Sequence, residues 1–258
     1  MRAPRERHDD EPAFVLHTHP YRETSVIAEA LTATRGRVAL VARGARRSRS
    51  ELRGLLQAFQ PLRLAWTGSG DLKTLARAEW RGGLPLVAGP ALLCGFYLNE
   101  LLLKLLPRED PHPRLFEEYE AALRELAAGA EQAPVLRQFE LRLLAEIGYA
   151  MPLTHEADTG RPIDPGARYY YSFDRGPRTM AAEPGRRYPQ VRGATLIALA
   201  RLDFSAPEAA MEAKRLMREV LDHYLERRAI VSRRVVRDLQ ALEDEESGAG
   251  DGPCRGGT

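Results

Sequence analysis

The sequence predicts an α+β chain in two parts, a five-stranded OB-fold β-barrel followed by an all-α C-terminal domain with an irregular hairpin insertion. Three observations carry this prediction. Short apolar stretches separated by turn residues fill roughly the first eighty residues. The hydrophobic spacing then changes from every second residue to every third or fourth. The turn-rich stretch Arg81-Gly82-Gly83-Leu84-Pro85 lies where the spacing changes. The expected organisation is a barrel over residues 1–82, a helical domain over 83–242 with an irregular insertion at 154–188, and a disordered tail over 243–258.

The strands come first. Ala13 to Thr18 carries Phe14 and Leu16 on one face, and Pro20-Tyr21-Arg22-Glu23 turns the chain. Ser25 to Ala33 and Arg37 to Arg43 supply the second and third strands. Leu62, Leu64 and Trp66 alternate with Arg63, Ala65 and Thr67, the period-two pattern of a half-buried fourth strand. That phase makes Trp66 a core residue rather than a stacking platform. Gly68-Ser69-Gly70-Asp71 is a turn, and Lys73 to Trp80 returns as the fifth strand. Five short strands spaced by turns suit a small closed barrel.

Helices follow at Pro90 to Leu106, His112 to Ala128 and Pro134 to Ile147, stopped by Pro107, Gly129 and Gly148. The polar pair Asn99-Glu100 is set in the apolar body of the first. Asp158 to Arg187, rich in Gly, Pro and Arg, reads as an excursion with at most one hairpin at Tyr169-Tyr170-Tyr171-Ser172-Phe173. That run either stacks on bases or packs on the helical domain. Helical spacing resumes at Arg192 to Arg201 and at Pro207 to Arg227, and Ser232 caps a short helix over Arg233 to Leu242.

Composition narrows the function classes. At 258 residues, 44% hydrophobic and 29% charged, the chain is a folded protein, and its formal charge of +2 requires any polyanion affinity to come from local segregation. Two cysteines, Cys94 and Cys254, cannot make a Cys-based zinc site. His17 and His19 share a strand face without a third ligand, so no metal is expected. No cofactor is expected either: no phosphate loop, nucleophile elbow or His-Glu-x-x-His pattern occurs, and no acid–base pair can be built. The chain is expected not to be an enzyme. The charged N-terminal residues lack a signal core, and the apolar stretch Leu92 to Leu106 is too short and too polar to span a bilayer, which points to the cytoplasm.

The outstanding feature is Arg35 to Arg53, where seven arginines face a single acid, Glu51. Arginine forks fit phosphate bidentately and stack on bases. A loop that delivers them from a strand edge is either a phosphate-tracking groove or a solvated surface. Arg22 and Arg35 to Arg53 are the candidates: Arg22, Arg35, Arg37, Arg43, Arg46, Arg47, Arg49 and Arg53. A second basic patch comprises Lys214, Arg215, Arg218, Arg227, Arg228, Arg233 and Arg234. Arg124, Arg137 and Arg142, on or near helices, are weaker candidates for holding an acidic peptide. The rival to a DNA-binding barrel is an OB-fold RNA-binding module.

Several segments in order carry a resemblance. They are Phe14-Val15-Leu16-His17, Glu23-Thr24-Ser25, Gly36-Arg37-Val38 running into Ala42-Arg43-Gly44-Ala45-Arg46, and Leu55-Leu56-Gln57-Ala58-Phe59. Tyr97-Leu98-Asn99-Glu100-Leu101-Leu102, Phe139-Glu140-Leu141, Gly148-Tyr149, Ala213-Lys214-Arg215 and Ser232-Arg233-Arg234 continue the series. Over roughly residues 12 to 240 the chain resembles the RecO family of bacterial recombination mediators. The resemblance implies an OB-fold binding single- and double-stranded DNA, annealing of complementary strands, and work with RecR to load RecA onto DNA coated by single-stranded-DNA-binding protein. It also implies capture of that protein's acidic C-terminal tail, and a nucleoid-associated location. Many members carry a four-Cys zinc ribbon in the region matching Thr154 to Tyr188. Here that region has His155, Asp158 and Asp164 but no Cys, so the chain resembles the zinc-free variety.

Overall fold

The first strand, β1 (Arg7–Tyr21), pairs with two neighbours in turn, and so extends well beyond the Ala13 to Thr18 that alternation marks. Its first half runs antiparallel to β4 (Pro61–Thr67), from Arg7 opposite Thr67 to Phe14 opposite Pro61. Its second half pairs with β2 (Ser25–Thr32), which pairs in turn with β3 (Gly36–Ala42). β5 (Leu72–Trp80) lies parallel to β3 and antiparallel to β4. The five strands close a mixed barrel of order β1-β2-β3-β5-β4, the order of an OB-fold. These features come from a computed structural model, which describes residues 6–179, 187–225 and 230–235.

Period-two patterning sends successive residues of β1 into two different cores. Ala13 and Val15 join Ala28, Ala30, Val38, Leu40, Leu62, Leu64 and the fully buried Trp66 inside the barrel. Phe14, Leu16 and Leu31 point outward into a core shared with the helices. Phe14 packs against the rings of Phe116 and Tyr119, at centroid distances of 5.5 and 5.3 Å.

The pairing register of β1 shifts between Val15 and His17, a bulge that leaves Leu16 outside the ladder. The Leu16 carbonyl instead accepts a 2.9 Å hydrogen bond from Asn99 Nδ2, and Tyr119 Oη donates to Asn99 Oδ1. The polar pair within the first helix thus has a structural purpose. Glu100 beside it accepts from Val231 N (2.7 Å), Ser232 N (2.8 Å) and Ser232 Oγ (2.6 Å), tying residues 231–235, which are helical, onto the same helix. The rest of the helix expected over 233–242, and the tail over 243–258, lie outside the described residues.

The helices match their sequence spacing to within two residues at most ends. They are α2 (Pro90–Leu105), α3 (Pro113–Ala127), α4 (Gln132–Glu146), α5 (Gly193–Arg201) and α6 (Pro207–Tyr224), with one further turn, α1 (Leu52–Leu55), inside the basic loop. Prolines at the start of α2, α3 and α6 sit where a backbone donor is not needed. Leu115, Tyr119, Leu123 and Leu126 of α3 face Phe139 and Leu143 of α4 in one core.

The C-terminal part is not all helical. β6 (Arg168–Ser172) and β7 (Gly176–Arg178) form a hairpin, and β8 (Gln190–Arg192) adds a third strand in the order β7-β6-β8. Strands of three residues are too short to show alternation, so the sequence suggested one hairpin at most. Tyr169 and Tyr171 are buried and bond to backbone: Asp164 N donates to Tyr169 Oη (2.9 Å), and Tyr171 Oη donates to Pro152 O (3.3 Å). These two rings belong to the core, which removes them from the base-stacking reading.

Candidate nucleic-acid interface

The basic loop leaves β3 at Arg43 and is fastened to the β1–β2 turn. Arg46 N donates to Thr24 O (2.9 Å), and Arg46 Nη1 donates to Arg22 O (3.3 Å). Arg47 N and Ser50 N close turns onto Gly44 O and Arg47 O. Ala45 and Leu56 are buried in the barrel core, anchoring both ends of the loop. Its backbone is therefore a fixed ridge. Arg22 occupies the left-handed region (φ 53°) at the tip of the neighbouring turn, with its guanidinium 5.2 Å from the Tyr21 ring centroid.

Two grooves flank this ridge. One, of about 680 Å3, includes Arg22, Arg43, Arg47, Thr24, Ser25 and Thr74 in its lining, with Tyr21 and the acid Glu23 also on it. The other, of about 370 Å3, is lined by Arg46, Arg53 and Thr18 together with Val26, Ala45, Leu52 and Leu56. Arg22, Arg43, Arg46, Arg47, Arg49 and Arg53 are all exposed. Among the described residues, none of these six has a carboxylate within 4.0 Å. Six uncompensated guanidinium groups at one end of a barrel make a local positive field, although the whole chain is nearly neutral.

The other two candidates on this stretch stand elsewhere. Arg35 is exposed at the far tip of the β2–β3 hairpin, separated from Arg43 by the seven residues of β3, roughly 23 Å at ~3.3 Å per residue. Among the described residues Arg37, unlike the six ridge arginines, is engaged in an ion pair within the protein. Its Nη1 donates to Glu29 (2.9 Å), and its Nε and Nη2 donate to the Leu106 carbonyl (3.2 and 3.0 Å). Arg108 also pairs with Glu29, and Glu109 N donates to Arg37 O. Burial pushes the Arg37 guanidinium below its ordinary value, with Glu29 opposing and Arg108 adding to the shift. It is a joint between barrel and helices.

The helical candidates are also engaged. Arg137 is buried and paired with the fully buried Glu140, which also accepts from Tyr97 Oη (2.6 Å), so it presents no charge to a peptide. Arg124 bonds Glu120 (3.1 Å) and Gly83 O (3.0 Å), and Arg142 lies 3.4 Å from Glu118, both with exposed stems. In the second patch, Lys214, Arg215 and Arg218 are exposed along α6, and Arg215 donates to Gln190 O. Arg233 is held by Asp222 (2.8 Å) and Tyr97 Oη (3.1 Å), whereas Arg234 is exposed. Arg227 and Arg228 lie outside the described residues.

Thr24, Ser25 and Thr74 in the larger groove, and the apolar floor of the smaller one, had not stood out. Thr74 lies thirty-one residues beyond Arg43 and is brought beside the loop by the parallel β3–β5 pairing, which places Val41 opposite Thr74. Among the described residues, no group of three or more His, Cys, Asp or Glu could hold a metal ion, and no helix is long and apolar enough to cross a membrane.

Comparison with known proteins agrees with this architecture. Residues 8–84 match the family described as Recombination protein O N terminal, and residues 88–234 match Recombination protein O C terminal. The chain is 51% identical over 238 residues to the DNA repair protein RecO of Aromatoleum aromaticum, covering 92% of this chain and 99% of the relative. It is 50% identical over 243 residues to that of an Azoarcus species, with 93% and 100% covered, and 46% identical over 242 residues to that of Nitrosospira multiformis, with 94% and 100% covered. A barrel and a helical part, each matched by its own half of one family over nearly the whole chain, show that the chain belongs to the RecO family.

Proposed function

We propose that this protein is a DNA-binding recombination mediator in DNA repair. It binds single- and double-stranded DNA, anneals complementary strands and, with RecR, loads RecA onto DNA coated by single-stranded-DNA-binding protein. The observation that carries the reading is the arginine ridge: six exposed guanidinium groups with no ion-pair partner among the described residues, flanked by two open grooves on an OB-type barrel. Membership of a family whose relatives are named DNA repair protein supports it.

The mechanism is electrostatic. Cations on the ridge neutralise phosphates of each strand and reduce the repulsion between strands, while base pairing supplies sequence recognition. Arg22, Arg43, Arg46, Arg47, Arg49 and Arg53 make the backbone contacts. No bond is made or broken, so the work requires no catalytic group and no cofactor. Capture of an acidic protein tail falls to cations outside the ridge, where Arg124 and Arg142 remain as candidates. The protein acts in the cytoplasm, at the nucleoid.

The test is annealing of complementary oligonucleotides precoated with single-stranded-DNA-binding protein, in EDTA. Annealing faster than the protein-free control is expected. No acceleration, or binding restricted to structured RNA over oligo-dT, would replace this reading with an RNA-binding one.

A further inference from the structure

On the DNA-binding reading above, we infer that the basic loop is a divider between two tracks on a single chain, each holding one single strand. The two grooves share no lining residue. Consecutive residues open to opposite sides: Arg47 lines the larger groove and Arg46 the smaller, as Ser25 lines the larger and Val26 the smaller. For the strand pair, this is the alternation of side chains across a sheet.

The ridge between them is built to stay upright. Arg46 is fastened through its backbone to Thr24 and through its side chain to Arg22, while Ala45 and Leu56 are buried at its flanks. One wide groove formed by the loop folding away would have to break those contacts. Each side has its own cations, Arg22, Arg43 and Arg47 in one and Arg46 and Arg53 in the other. Both volumes, about 680 and 370 Å3, fall in the range of roughly 300–1,000 Å3 that holds small ligands, so each takes a nucleotide-sized portion of a strand.

The linings also differ in character. Thr24, Ser25 and Thr74 accompany the arginines and Glu23 of the larger groove, whereas Val26, Ala45, Leu52 and Leu56 outnumber the single hydroxyl residue, Thr18, in the smaller. Two strands gripped by their phosphates on either side of one row of cations share counter-charge and leave their bases free. That is the arrangement an annealing protein needs, because two single strands otherwise repel one another.

Native mass spectrometry of the full chain with short oligothymidylate, which cannot pair with itself, tests the proposal. A single wild-type chain is expected to carry two strands at saturation. Arg43→Gln with Arg47→Gln, and separately Arg46→Gln with Arg53→Gln, are each expected to carry one. Both pairs should slow annealing at least tenfold while weakening the first strand less than threefold. A wild-type chain that saturates at one strand, or either double variant still carrying two, would overturn the divider and leave the DNA reading standing. A wild-type chain that binds no strand would overturn the DNA reading, and the divider with it.

Discussion

Arg37 and Glu29 sit diagonally across the β2–β3 ladder with Nη1 and a carboxylate oxygen 2.9 Å apart, and both side chains are largely buried. The pair is completed from the helical part by Arg108 and the Leu106 carbonyl. Removing Arg37 leaves Glu29 to Arg108 and takes both donors away from the Leu106 carbonyl. Arg37→Ala is therefore expected to lower unfolding free energy by roughly 1–3 kcal/mol in urea titrations, the cost of an unsatisfied buried polar group, while single-strand affinity stays within twofold. A tenfold loss of affinity at unchanged stability would return Arg37 to the interface.

Charge reversal on the ridge has the opposite signature. With about four to six phosphates neutralised over the two grooves together, the slope of log affinity against log salt for loading both single strands should be roughly −3 to −4, at ~0.7 per contact. Arg46→Glu with Arg47→Glu should make that slope shallower by about 1.4, from two lost contacts, with Tm nearly unchanged because both residues are exposed. Fluorescence anisotropy across a salt series reads it directly.

Gly36 turns the β2–β3 hairpin at φ +65°, and a Cβ there would stand 2.0 Å from the Asp110 carbonyl oxygen of the helical part. Gly36→Ala meets both backbone strain and a collision with backbone that cannot rotate away. A loss of about 2–4 kcal/mol, on the scale of severe point mutations, is expected by chemical denaturation. Gly54, with open space around its Cβ position, serves as the control: Gly54→Ala should change stability by under ~1 kcal/mol.

The Glu100 clamp predicts a pH dependence. Burial alone raises its carboxyl, but hydrogen bonds from the Ser232 side chain and backbone, from Lys104 and from Val231 outweigh it and hold the group below its ordinary 4.5. For a depressed acid, stability is full above the ordinary value and is lost as pH falls through the folded-state value. The amide resonances of Val231 and Ser232 should titrate with a midpoint below 4.5. Glu100→Gln should abolish that titration and weaken docking of residues 231–235 by about 1–2 kcal/mol, since bonds to a charged acceptor are the stronger kind. A midpoint above 4.5 would refute the clamp.

Much of this was legible in the chain because period and charge are local. Leu62, Leu64 and Trp66 declare an inward face, and the run from Arg43 to Arg49 declares one sign of charge. Partnership is not local. Arg37 and Arg43 look alike in sequence, yet one meets Glu29 and a carbonyl sixty-nine residues away while the other stays exposed. Arg137 likewise reads as a surface cation with Glu140 one turn along the same helix, and only the packing of α2, which sets Tyr97 Oη on Glu140, buries that pair. The three-residue strands β7 and β8 are too brief for any pattern, and the Tyr169 to Phe173 run gained its meaning only from what it packs against.

The adjacent residues Asn99 and Glu100 reach in opposite directions along the chain, to Leu16 and to Val231-Ser232, across 83 and 131 residues. During synthesis this has a cost in time. The barrel can close once Trp80 has emerged, but Phe14, Leu16 and Leu31 stay wetted until α2 and α3 follow. At ~5–20 residues per second that interval is on the order of a few seconds. The last latch, at Glu100, waits for nearly the whole polypeptide. A ribosome stalled after the fifth strand would therefore hold a closed barrel with a greasy flank, a natural client for a chaperone.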